Sequence, residues 1–431
     1  MDTKQRARLA RQASIPMAVV SIDIKNKALE RVAEELERRR ADIIAANRAD
    51  MEKAESENLA APLLKRLKFE EDKINEVCEG LKSLIGLPDP VGITLSAMEL
   101  DEGLELYQVS CPIGVVGIVF ESRPDALVQI SSLCLKSGNA VLMKGGSEAA
   151  STNRILTDII NQASVEAGMP AGWLALLEAR SDVAEMLGLD EYIDLVIPRG
   201  SNEFVRHIMQ NTNIPVLGHA DGICHVYVDR EAEIEMAVRV TVDSKTQYVA
   251  VCNAVETLLV HQDIAAVFLP QVKEALEEKG VELRGCERTA QVIDVQAATE
   301  EDWSTEYLDL ILSIKIVDSL DEAIEHINRY GSGHTDVIVT SEKARGIRFM
   351  DYVDSAGVFM NCSSRFSDGF RYGLGAEVGI STNKIHARGP VGLEGMVIYK
   401  WRLVGSGQTV AEYSGEGGKT FTHRHLQKDF E

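Results

Sequence analysis

Apolar residues recur at helical spacing near the start of the chain. Leu29, Val32, Leu36, Ile43 and Ile44 stand among Glu, Arg and Lys, so the first ~80 residues predict amphipathic helices. From Val115 the pattern changes. Val115–Phe120 is a short β-rich apolar run, Ala126–Ser137 reads as a helix stopped by Gly138-Asn139, and Ala140–Lys144 is a second apolar strand. Ser151–Ala167 predicts the next helix, closed by Gly168 and Pro170, and Trp173–Leu177, Ile193–Ile197 and Cys224–Val228 predict further strands. Strands alternating with helices in this way argue for an α/β fold with a doubly wound parallel sheet.

A second α/β stretch begins near Ser244. It holds the apolar run Thr257–Val260, the helix Ala265–Lys279, the strand Leu310–Val317 and the helix Leu320–Asn328. The alternating segment Leu104–Val109 reads as part of a β-hairpin arm, and Val397–Leu403 as a late, partly exposed strand. Two such segments either pair as an arm crossing to a neighbouring subunit or each extend a sheet of their own, and the pattern weighs these equally. The tail after Gly405 is rich in Gly and Ser, then basic, which predicts loose order. No internal repeat or low-complexity tract interrupts the chain.

Composition narrows the function. A net charge of −22 over 431 residues disfavours a nucleic-acid partner, whose binders need a Lys/Arg excess on the contact face. The seven cysteines are scattered and never spaced CxxC, which reads as reduced and cytoplasmic. The nine histidines form no HExxH or paired Cys/His pattern, so no metal is expected. With no apolar run of about 18 residues, no membrane span is expected either.

The residues able to carry chemistry are individually ambiguous. Cys252 lies in Val249–Thr257, a small-residue stretch leading towards an expected short helix. There the helix dipole would lower its pKa, although burial is the commoner fate of a free cysteine. Gly200-Ser201 follows a strand and precedes a helix, as a phosphate-binding helix N-terminus does, and as ordinary capping also does. Lys144, before Gly145-Gly146 at a strand's carboxyl end, suits a ribose or its 2′-phosphate, or simply faces solvent. His219 suits a general base or a turn. No GxGxxG fingerprint follows any strand.

Taken in order, these segments resemble one family. The set is Pro112–Val115, Phe120–Asp125, Lys144–Gly146, Arg199–Ser201, Val251–Thr257, Phe366–Gly369, Gly375–Thr382 and His386–Pro390. It is similar to the γ-glutamyl phosphate reductases, a branch of the aldehyde dehydrogenase superfamily, from about Ser21 to about Gly407. The resemblance implies a cofactor domain (1–98 and 113–243), a catalytic domain (244–394) and an oligomerisation arm and tail (99–112 and 395–431). It also implies NADP(H), a homo-oligomer, and a glutamate 5-kinase upstream to supply the acyl phosphate. Cys252 corresponds to the nucleophile, Lys144 to the lysine on the adenosine ribose, Gly200-Ser201 to the pair near the pyrophosphate and Glu306 to the glutamate on the nicotinamide ribose.

Departures from the wider superfamily sharpen the expectation. Hydrolytic members place an Asn for the oxyanion where this chain reads Ser122-Arg123-Pro124, and carry a water-activating Glu where it reads Gly218-His219-Ala220-Asp221-Gly222. Many relatives also place a proline shortly before the Val-Cys, where this chain has Tyr248-Val249-Ala250. Loss of the water-activating base suits exchange of the thioester with phosphate. Cys252 with Ser122 would then hold the oxyanion, and Arg123 or Arg365 would meet the anionic substrate.

Overall fold

The chain opens with helices Thr3–Met17, Ile22–Arg38, Arg40–Ser56, Ala61–Leu67 and Glu71–Ile85. The first is set by a capping box: the Asp2 carboxylate accepts from the Gln5 N–H at 2.7 Å, and the Gln5 side chain accepts from the Asp2 N–H at 3.2 Å. Ile22–Arg38 buries Ala28, Leu29, Val32 and Leu36, the stripe its periodicity predicts. These coordinates are a computed structural model, which describes residues 1–431 except Ser122, Arg180 and Ala220 and the side chains of Ala61 and Pro62.

A hairpin follows, β1 (Thr94–Asp101) and β2 (Leu104–Pro112). Then come β3 (Val115–Phe120), β4 (Ala140–Lys144), β5 (Leu174–Leu177) and β6 (Leu195–Arg199), a parallel sheet in the order β5-β4-β3-β6. The chain lays down strands to one side of β3 and then returns to its other side. The topological switch point, where such sheets open a ligand crevice, therefore lies between the carboxyl ends of β3 and β6.

The second sheet comprises β7 (Cys224–Val228), β8 (Val255–His261), β9 (Glu282–Gly285), β10 (Gln296–Ala297), β11 (Ile311–Val317), β12 (Thr335–Val339) and β13 (Gly357–Met360). It is parallel, in the order β10-β9-β11-β8-β7-β12-β13. Strand β7, which the expected limit at residue 243 groups with the cofactor half, is hydrogen-bonded between β8 and β12. The two sheets thus part between Arg199 and Cys224. Each has its own core: Val116, Ile118 and Leu142 belong to one, and Val226, Leu258 and Phe268 to the other.

After the small pair β14 (Gly379–Ser381) and β15 (Gly389–Val391), β16 (Val397–Val404) runs antiparallel to β2, from Val397 opposite Pro112 to Val404 opposite Glu105. The late strand and the hairpin therefore pair within one chain. The tail departs from the loose order expected of it. Strand β17 (Arg424–His425) pairs with β1, the Leu426 N–H donates to the Ala97 carbonyl at 2.9 Å, and Leu426 and Phe430 pack on Ala97, Tyr107 and Val109. Composition concealed this because the few apolar residues that anchor the tail are widely spaced. Among the described residues no helix is long and apolar enough to cross a membrane.

Candidate active site

The site lies where the carboxyl edge of the first sheet faces the amino edge of the second. Cys252 stands on the turn between the helix Ile234–Thr246 and β8, rather than at the helix N-terminus the small residues suggested; the next element is a strand. Without that helix dipole, burial dominates. Burial, reinforced by the Glu306 and Glu377 carboxylates and opposed by Arg199, pushes the thiol up to about 12. A neutral thiol needs a base beside it. His334, just ahead of β12, provides one, with its Nε2 3.2 Å from Cys252 Sγ. In the tautomer that carries the proton on Nδ1, 2.9 Å from Thr335 Oγ1, Nε2 is the acceptor for the thiol proton. Burial holds this imidazole well below its usual pKa, and so neutral and ready to accept.

His219 completes the cluster. Its Nδ1–H donates to the Ile380 carbonyl at 2.9 Å, which puts the ring's lone pair on Nε2, and its ring meets that of His334 edge-on at 5.1 Å. The Cys252 turn is braced from two sides. Asn253 Nδ2 donates to the Ser367 carbonyl at 2.7 Å and Ser364 Oγ to the Asn253 carbonyl at 2.6 Å, which ties the turn to the Ser363–Ser367 loop. From the other side Gly222 approaches so closely that an added Cβ would stand 2.1 Å from the Cys252 carbonyl oxygen. Gly222→Ala must push the turn aside, and a displacement of about 1 Å costs on the order of 100-fold in kcat/KM. A Gly222→Ala enzyme within about twofold of wild type, by steady-state assay, would show the turn to be free to move.

The remaining expected residues fall into two groups. Lys144 ends β4, buried, with its Nζ against the Gly145 carbonyl at 2.5 Å. Gly200 and Ser201 lead into the helix Asn202–Gln210, and the Ser201 N–H donates to Glu121 Oε2 at 3.2 Å, across the switch point. Glu306 accepts from Asn202 Nδ2 at 2.5 Å, and burial raises its pKa. Lys144, Gly200 and Ser201 stand at the carboxyl edge of the first sheet, and Glu306, from the second, meets that edge through Asn202. Arg365 is nearly buried, with its Nε donating to Gln247 Oε1 at 2.9 Å, and its charge reaches Cys252. Arg123 is half-exposed and paired with Asp125 at 3.0 Å. Ser122, expected at the oxyanion, lies outside the described residues. A shallow cavity of about 310 Å³ beside the site is lined by Arg206, Met209, Gln210, Asp221, Ser332 and Thr382.

The aldehyde dehydrogenase family model matches residues 1–290. The γ-glutamyl phosphate reductase of Pelotomaculum thermopropionicum is 65% identical over 430 residues, spanning 100% of this chain and 99% of that one. That of Acetivibrio thermocellus is 62% identical, spanning 100% of both chains. The crystal structure of the γ-glutamyl phosphate reductase from Thermotoga maritima superposes with a TM-score of 0.93 at 42% identity, over 95% of this chain and 100% of that one.

The chain belongs to the γ-glutamyl phosphate reductases. It has the aldehyde dehydrogenase-like α/β fold, and as an oxidoreductase of that family it uses a nicotinamide cofactor and a small-molecule substrate.

Two residues of this γ-glutamyl phosphate reductase were not singled out from the sequence. His334, 82 residues beyond Cys252, has no local pattern to mark it, since only the sheet order brings β12 and β8 to the same edge. Arg199 was quoted in a motif but given no role. It is half-buried at the end of β6, donates to the Val378 carbonyl at 2.9 Å, and its charge reaches both Cys252 and His219. A basic residue directly ahead of Gly-Ser at a strand end was the signal available.

Proposed function

We propose that this enzyme reduces γ-glutamyl phosphate to glutamate 5-semialdehyde with release of phosphate, the reductive step of proline biosynthesis, through a thioester on Cys252. The observation that carries the reading is the 3.2 Å approach of His334 Nε2 to the Cys252 sulfur, at the junction of the two sheets. In this reading Cys252 Sγ attacks the γ-acyl carbon while its proton passes to His334 Nε2. The bond from that carbon to the phosphate oxygen breaks, and inorganic phosphate leaves. The Cys252 N–H, already directed at its own sulfur, holds the oxyanion, with Ser122 as its expected companion. Arg199 and Arg365 supply the positive charge that an acyl phosphate requires. After reduction the tetrahedral adduct collapses, the carbon–sulfur bond breaks, and sulfur recovers its proton from His334.

The nicotinamide cofactor supplies the hydride when bound. The residues present suit it. Asn153 Oδ1 is buried without a hydrogen-bond partner, and a Cβ on neighbouring Gly145 would stand 2.2 Å from Asn153 Nδ2, so backbone lines that end of the crevice. Lys144 would hold the adenosine ribose and its 2′-phosphate, Gly200-Ser201 the pyrophosphate and Glu306 the nicotinamide ribose. Glu121 must then give way at the Ser201 N–H, because two anions cannot share it.

The same reading takes NADP(H) as the cofactor and the cytoplasm as the location. It takes glutamate 5-kinase as the source of the labile substrate, and the arm, with exposed Tyr399, Trp401 and Leu403 on β16, as a contact between copies. Glutamate 5-semialdehyde oxidation with NADP+ is expected to require inorganic phosphate, followed as NADPH absorbance. A rate unaffected by removing phosphate would assign the chemistry to water instead.

A further inference from the structure

We propose that His219, Cys252 and His334 form a binding site for a thiophilic divalent cation, zinc above all, whose occupancy switches the enzyme off. One sulfur and two imidazole nitrogens lie within 4.8 Å of one another. Thiolate with imidazole selects zinc and its soft neighbours over magnesium or calcium. Four-coordinate zinc, with bonds of about 2.0–2.3 Å, sets its ligands roughly 3.3–3.7 Å apart. The His334–Cys252 pair, at 3.2 Å, is already there, and the widest pair in the cluster has about 1 Å to close, within reach of side-chain rotation.

The second argument is the orientation of the rings. A metal-bound histidine holds its other N–H on a fixed acceptor, which aims the lone pair and sets the tautomer. Both imidazoles meet this condition without a metal. His219 Nδ1–H is held by the Ile380 carbonyl, and His334 Nδ1 lies 2.9 Å from Thr335 Oγ1 with its Nε2 3.2 Å from the sulfur, so each ring keeps Nε2 as its ligand atom. The spacing of the three residues hid the site, because the ligands come from separate loops at the meeting edges of the two sheets.

Local charge is balanced at the sulfur: Arg199 and Arg365 act against the cation, and the Glu306 and Glu377 carboxylates act for it. On binding, the Cys252 proton goes to solvent and the sulfur is held as thiolate on the metal, with a water completing the tetrahedron. The nucleophile is then withdrawn from the acyl carbon and His334 from the proton. Inhibition rests on the proposed role of Cys252, whereas binding itself does not.

Cobalt(II), titrated into the reduced, metal-stripped full-length enzyme, tests the site directly. One Co²⁺ per chain is expected, with a thiolate-to-cobalt charge-transfer band and the strong ligand-field bands of a four-coordinate site, all displaced by Zn²⁺. Cys252→Ser should remove the charge-transfer band. His219→Gln should weaken Co²⁺ binding by at least the loss caused by removing an outer partner, on the order of tenfold. In the phosphate-dependent assay, activity should fall in step with zinc occupancy and return with EDTA. Absence of the charge-transfer band, or a band that survives Cys252→Ser with unchanged affinity, overturns the proposal. A cobalt site of the expected spectrum in an enzyme that ignores phosphate would leave the metal site standing and sink the reductase reading instead.

Discussion

Replacing Cys252 with alanine is expected to lower phosphate-dependent NADP+ reduction by about 10⁴-fold or more while leaving nucleotide binding within about twofold. Every covalent step in the proposed cycle runs through that sulfur, so no neighbouring group can share its work. The proposed nucleotide crevice lies mainly along the other sheet, which has a core of its own, so most of its contacts are remote from the change. Nucleotide binding followed by fluorescence separates the two effects. A variant that keeps more than about a hundredth of the wild-type rate would show that the thiol is not the nucleophile. His334→Gln should fall between these limits, because it retains the sulfur and loses only the base. Its defect should shrink as pH rises and the thiol ionises unaided, since burial has placed that ionisation near 12.

Glu256→Ala carries the largest expected effect on stability, about 3–5 kcal/mol. Lys245, near the end of the helix Ile234–Thr246, and Glu256, on β8, pair at 2.6 Å with both side chains fully buried. Burial pushes the carboxyl up to about 7 and the ammonium down, while each partner pulls the other back towards its charged form. Removing the carboxylate leaves a buried ammonium without its paired counter-charge, with only the more distant Asp309 carboxylate acting on it. A lower urea midpoint, followed by circular dichroism, is expected for the single variant. Adding Lys245→Met should restore most of the loss, because it removes the orphaned charge rather than replacing the pair. If the double variant is no more stable than the single one, the loss arises from packing and not from charge.

The strands were legible where burial on both faces made them continuous apolar runs. Val115–Phe120, Ala140–Lys144 and Cys224–Val228 match the observed strands to the residue. Around Cys252 the same reasoning misled. Small residues such as Ala250 and Ala254 are compatible with a helix start and equally with a tight turn, and only the strand that follows decides between them. His334 was illegible for a different reason. Its role depends on which strands become neighbours, and strand order in a parallel sheet is set by crossovers rather than by the residues flanking a histidine. The tail was misjudged because a strand of two residues held by Leu426 and Phe430 leaves almost no periodic signal.

That short strand has a consequence for handling and for the cell. The backbone groups of β1 that face away from β2 form an open template on which any passing extended segment could add, the usual route to sheet-to-sheet aggregation. The final residues cover part of that template. Thr422 and Leu426 donate to the Leu100 and Ala97 carbonyls, Lys428 reaches Glu105 at 2.6 Å, and Arg402 lies 4.4 Å over the Phe430 ring. The last stretch of the chain thus serves as an edge guard, far from the chemistry. Clipping it, or fusing a bulky tag to it, would bare a sticky seam while every residue around Cys252 stayed in place.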